Sequence, residues 1–144
     1  MNNNEIVVEE LNTLLRGCYM GIRAFEHHIQ NLNDPVLKQR FQAMQQETKQ
    51  NAQIIAERIQ NLNGVPANNE GLSGRIHSSM HKMILSDDPV DIMEDAIKGL
   101  DKYGVEYSEE LVKGDLDPES RKIAKKVIDT SRRHAEEIKA LLNG

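Results

Sequence analysis

The sequence predicts an all-α fold: an antiparallel four-helix bundle with one long crossover carrying a short helix between helices two and three. Three observations predict it. Apolar residues recur every three or four positions over four long stretches, the period of helices packed along their length. An Asp-Pro pair opens three segments, at Asp34-Pro35, Asp88-Pro89 and Asp117-Pro118. The connections are unequal, being short between helices one and two and between three and four, but roughly 25 residues between two and three.

The first helix covers about 5–31. Val8, Leu11, Leu15, Cys18, Ile22, Phe25 and Ile29 step along one seam. Gly17 and Gly21 flank it. Each costs up to about 1 kcal/mol relative to Ala in a helix interior, which predicts a neighbour in close approach. His27 lies opposite the seam, while Glu26 and His28 border it. Adjacent helical residues point apart, so His27 and His28 are expected as surface side chains rather than a metal pair.

Asp34 can cap the second helix with its carboxylate, and Pro35 suits the first helical position. The seam there is Leu37, Phe41, Met44, Thr48, Asn51, Ile55, Ile59 and Leu62, polar in its middle. Ala43, Glu47, Gln50 and Ile54 form the adjoining stripe. Gly64 is placed as a helix stop before a Pro/Asn-rich linker. A short amphipathic helix is expected from about Leu72 to Leu85, with Leu72, Ile76 and Met80 on one face. Its His77 and His81 have i, i+4 spacing but no acidic partner on that face, so packed or exposed histidines are expected.

Helix three runs from Pro89 to about Lys113 on a seam of Met93, Ile97, Leu100, Gly104, Tyr107 and Leu111. Helix four follows Pro118 on Ala124, Val127, Ser131, His134, Ile138 and Leu141. Phe25 and Tyr107 are 82 residues apart, Pro35 and Pro118 are 83 apart, and the pairs Glu47/Gln50 and Ser131/His134 are 84 apart. The spacing reads as two related helical hairpins.

Composition narrows the function. The 144 residues suffice for one domain, 1–144, with 23 acidic and 18 basic side chains and a formal net charge of −5. That balance argues against general nucleic-acid binding. No apolar run approaches membrane-span length, and the start lacks a basic region followed by an apolar one. A cytoplasmic location and no membrane partner are the expectations. Cys18 is the single cysteine, which excludes an intrachain disulfide and a multi-cysteine zinc site. Its seam position marks it as a small packing residue. With no Trp and 3% aromatics, the core should be aliphatic and Met-rich, with Phe25, Phe41 and Tyr107 as its large rings.

Four stretches then carry a family likeness: Cys18 to Phe25, Gly71-Leu72-Ser73-Gly74-Arg75-Ile76-His77, Gly99-Leu100-Asp101 to Tyr107, and Arg133-His134 to Ile138-Lys139-Ala140-Leu141. On these the chain resembles the ferritin-like superfamily, and more closely its bacterial domain-of-unknown-function family. The resemblance implies a ferritin-like, rubrerythrin-related bundle. The superfamily's di-iron site uses one Glu on each of two helices and Glu-x-x-His on each of the other two. Carried over, the lone Glu positions fall on Cys18 and Leu100, and the two motifs become Glu47-x-x-Gln50 and Ser131-x-x-His134. Only Glu47 and His134 keep a ligand type.

The resulting expectation is a non-enzymatic bundle with no catalytic residue, no cofactor and no metal. Ser131, His134, Glu47, Gln50, Thr48 and Asn51 would form a buried polar layer. The alternative is a rubrerythrin-like oxidoreductase holding iron or manganese on Glu47 and His134. A homodimer is expected, because Ile6, Val7, Leu14 and Ile22 exceed what one seam needs; an unidentified protein partner is the other expectation. The basic stripe of Arg121, Lys122, Lys125, Lys126, Arg132 and Arg133 reads as a solvated face paired with Asp129, Glu136 and Glu137.

Overall fold

A computed structural model describes residues 3–69, 86–112 and 114–144. The expected short helix at 72–85, with His77 and His81, lies outside the described residues. Helix α1 spans Asn3–Asn31 and α2 spans Pro35–Asn61. The third rod is continuous but composite: α3 (Pro89–Gly99), a π-helical segment (Leu100–Tyr107) and α4 (Ser108–Val112). The last helix, α5, spans Pro118–Asn143.

All three Asp-Pro starts act as helix caps. Asp34 accepts from the backbone N–H of Val36 at 2.9 Å and of Leu37 at 3.1 Å. Asp88 accepts from Val90 at 2.9 Å, and Asp117 from Ser120 at 3.2 Å. These bonds satisfy N–H groups that the helix itself leaves free. The stop of α2 differs from expectation. Asn63, not Gly64, takes the left-handed turn, with φ of 65°. Asn63 N–H donates to Gln60 and Gly64 N–H to Ile59, both at 2.9 Å, the paired bonds of a Schellman ending. Gly64 serves another need: a Cβ there would lie 2.7 Å from Val8 of α1.

Cross-helix contacts give the topology. His28, near the end of α1, meets Asp95, near the start of α3. Arg58, near the end of α2, holds Asp117 and Ser120 at the start of α5. Helices α2 and α3 therefore begin at the same end of the bundle, so the end of α2 and the start of α3 lie at opposite ends, as one long crossover between them requires.

The core falls into two apolar clusters. One contains Leu11, Leu15, Ile55, Ile59 and Ala124; the other contains Phe25, Phe41, Met44, Ile92 and Ile138. Val7 and Leu14 are buried in the chain's own first cluster, so they are not spare surface for a second copy.

The third rod departs from a simple seam. A π-helix bonds i to i+5 and turns less per residue than an α-helix. Over eight residues the inward face slips. Tyr107, expected in the core, is 42% exposed, and Ser108 takes the buried position instead. Leu100 and Leu111 are only half-buried.

Candidate functional site

Between the two clusters lies a polar waist. Thr48 and Asn51 enter it from α2, and Thr130, Ser131 and His134 from α5. Thr48 and Thr130 return their hydroxyls to carbonyls four residues back, at Met44 and Lys126. Asn51 is buried, and Ser131 is half-buried against Gly104. The Gly104–Ser131 approach is close enough that a Cβ on Gly104 would lie 2.7 Å from the Ser131 Oγ.

His134 is almost fully enclosed, its ring edge-to-face with Phe25. Its Nε2 donates to Glu47 Oε1 at 2.8 Å, because a carboxylate can only accept. Arg133 reaches the same carboxylate with both guanidinium arms, Nη1 to Oε1 at 3.1 Å and Nη2 to Oε2, a bidentate pairing. The Arg133 bond is the main reason the Glu47 pKa drops to about 2. Burial holds His134 below its ordinary value, against the pull of Glu47. At neutral pH the arrangement is thus an anionic Glu47, a cationic Arg133 and a neutral imidazole. The His134 Nδ1 is buried without a partner.

The two sequence-selected residues, Glu47 and His134, are therefore brought together. Gln50 is not: it is exposed, as is Ala43, and Glu47 sits at the rim. The inward face of α2 is the Met44–Thr48–Asn51–Ile55 stripe, so Gln50 leaves the expected polar layer. Cys18 is buried, and burial pushes its thiol up to about 12; it is a neutral thiol rather than a thiolate. Cys18 and Leu100, with Thr48, Asn51, Thr130 and Ser131 of the waist, line a cavity of about 500 Å³, chiefly between α1 and the third rod. Among the described residues, no group of three or more His, Cys, Asp or Glu is placed to hold a metal ion.

A second histidine–carboxylate bond was not legible beforehand. His28 is buried, not on the surface, and its Nε2 donates to Asp95 Oδ2 at 2.8 Å. Its ring packs edge-to-face on Phe41. His27 beside it is half-buried rather than in solvent. Buried Gln45 was also missed; it donates to the Ile22 carbonyl at 3.0 Å and to Glu26 at 3.2 Å. The only forward signal was that His28 borders a seam; its partner is 67 residues away.

The basic stripe pairs only in part as expected. Arg132 meets Asp129 and also Glu109 on α4, both at 3.0 Å, and Arg133 crosses to Glu47. Arg121 donates to carbonyls of Val112, Gly114 and Leu116, tying down the chain before α5. No helix among the described residues is long and apolar enough to cross a membrane.

Comparison with known proteins now bears on this bundle. The dodecameric thioferritin, the bacterioferritin-related protein from Bacteroides fragilis, superposes with a TM-score of 0.77 at 17% identity. The match covers 99% of this chain and 87% of that one. A ferritin-like, diiron-carboxylate protein from Bacillus anthracis str. Ames gives 0.73 at 21% identity, covering 99% of both chains. At such identities these likenesses speak for the fold. No curated protein matches the chain. The family model described as Domain of unknown function (DUF2383) matches residues 6–114. The chain, a ferritin-like helical bundle, belongs to the DUF2383 family.

Proposed function

We propose that this chain is a non-enzymatic ferritin-like bundle, one domain over 1–144, that acts by protein interaction or self-assembly. In this reading the di-iron ligand set is largely lost. The observation that carries it is the state of Glu47: both oxygens of the one retained carboxylate are held by Arg133 and His134. A di-iron centre needs several carboxylates to bridge the metals and offset their charge. Here Cys18, Leu100 and Ser131 stand at three of the carried-over positions and Gln50 faces outward. The residues present do not fit such a centre. Self-assembly draws support from the dodecameric relative, and a homodimer is the simplest form of it.

Metal analysis of the purified chain, expressed with iron and manganese supplied, tests the reading. Metal far below one ion per chain, and a melting temperature indifferent to chelator, are expected. Near-stoichiometric iron or manganese would overturn it in favour of a metal oxidoreductase using Glu47 and His134. Light scattering across concentration tests assembly; a strict monomer that also captures no partner would remove the interaction half.

A further inference from the structure

We propose that the cleft between α1 and the third rod is a binding site for a flat aromatic anion. Its walls are bare where helix sequences usually are not. A Cβ placed on Gly17 or Gly99 would meet nothing within 4 Å, and one on Gly21 would meet only Thr48 Cγ2, at 3.8 Å. All three line the cavity. Interior glycines weaken a helix, and close approach of a neighbouring helix was the expected compensation. Among the described residues no such neighbour is found at Gly17 or Gly99. The bare backbone leaves two smooth walls on which a ring system can stack.

The floor supplies an independent observation. Asn51 is 4% exposed and lines the same cavity, yet its carboxamide makes no hydrogen bond among the described residues. Its amide atoms are not among the sealed, partnerless ones, so the carboxamide faces the cavity with its hydrogen-bonding capacity open to a ligand. A carboxamide offers one donor group and one acceptor, which suits a hydrogen-bonding edge on an otherwise apolar ligand.

Charge sets the remaining requirement. Lys98 and Lys102 stand exposed at the mouth, and neither forms an ion pair among the described residues. Lys102 lies 5.6 Å from the Tyr103 ring centre, a cation over an aromatic face. A cavity of about 500 Å³ is within the range of small-molecule sites. The ligand class is therefore an aromatic body with a polar inner edge and a negative group at the mouth. Glu47, Arg133 and His134 are not part of its lining, but the cavity takes in Thr48, Asn51, Thr130 and Ser131 of the waist and the carried-over positions Cys18 and Leu100, so metal content is measured on the same sample as probe binding.

The test uses the full chain and two fluorescent probes: 1-anilinonaphthalene-8-sulfonate, and its neutral counterpart N-phenyl-1-naphthylamine. Saturable binding of both is expected. Gly17→Leu and Gly99→Leu should each weaken both probes by about tenfold or more, without lowering the melting temperature. Lys98→Glu with Lys102→Glu should weaken the sulfonate by about tenfold and leave the neutral probe unchanged. Asn51→Ala should weaken both. No saturable binding, or wall variants that bind like the parent, would overturn the site. Unchanged sulfonate binding in the lysine double variant would overturn the anion. If Gly17→Leu instead dissolves a dimer seen by light scattering, a second copy occupies the cleft and the small-molecule proposal fails.

Discussion

The two helical hairpins share their starts and their spacing but not their interiors. In the first, α1 runs 29 residues as an unbroken α-helix. In the second, the matching rod passes through eight residues of π-helix. The repeat mates consequently meet different fates. Phe25 is 3% exposed and its mate Tyr107 is 42% exposed. His134 is buried and its mate Gln50 lies in solvent. A spacing repeat preserves where helices begin, because caps are local. It does not preserve which face looks inward: in the third rod the slipped turn moves every later residue, and on α2 the packing turns Gln50 outward.

The largest break in the comparison should come from the paired rings. Phe25→Ala should cost about 3–5 kcal/mol, since it empties the contact with Phe41 and His134. Tyr107→Ala should stay within about 0.5 kcal/mol, as an exposed change does. Denaturant melts of both variants measure the difference; equal costs would mean that the π-helical slip is not how the chain folds.

Glycines on facing rods should then respond with opposite signs. Gly104→Ala places a Cβ 2.7 Å from Ser131 Oγ, overpacking that should cost about 1–3 kcal/mol. Gly21→Ala meets only an ordinary contact and should stabilise the chain by up to about 1 kcal/mol. The same melts decide both signs.

The two histidine–carboxylate bonds sharpen the contrast further. His28→Leu leaves Asp95 without its imidazole partner and should cost about 1–3 kcal/mol. His134→Leu leaves Glu47 still clasped by Arg133 and open to water, so its cost should be smaller. A larger loss at His134 would show that the waist depends on the imidazole rather than on Arg133.

The smallest effect is in pH dependence. Burial depresses the folded-state pKa of His134 below 6.5, so the unfolded chain binds that proton more readily. Its contribution is fully present above about pH 6.5 and is lost as pH falls toward the folded value. Glu47, lowered from 4.5 to about 2, adds a second loss across that lower window. Melting temperature plotted against pH should fall more steeply for the parent than for His134→Leu once pH drops below 6.5; identical slopes throughout would refute the assignment.

The candidate site was partly legible. Glu47 and His134 could be singled out because a known ligand pattern passes through them, and the structure joins them. Arg133 on Glu47 was not foreseen, because its position beside His134 suggested only a solvated stripe. Asp95 on His28 was invisible for another reason: no local pattern reports a partner on a different helix. The cavity was half-read at Gly17 and Gly21, as glycines in need of a neighbour, and not at Gly99.

By itself the sequence determined the helical class, the three capped starts, the two hairpins and the long return between them. These follow from side-chain periodicity, local capping chemistry and connection length, all of which act within a few residues or count them. The tertiary structure alone decided that the third rod slips through a π-helical turn, that Asn63 rather than Gly64 takes the left-handed turn, that Glu47 is held by Arg133, and that a cleft remains beside the glycines. Each of these depends on which side chain from another helix arrives at a given height. That is a property of packing, and no single stretch of sequence contains it.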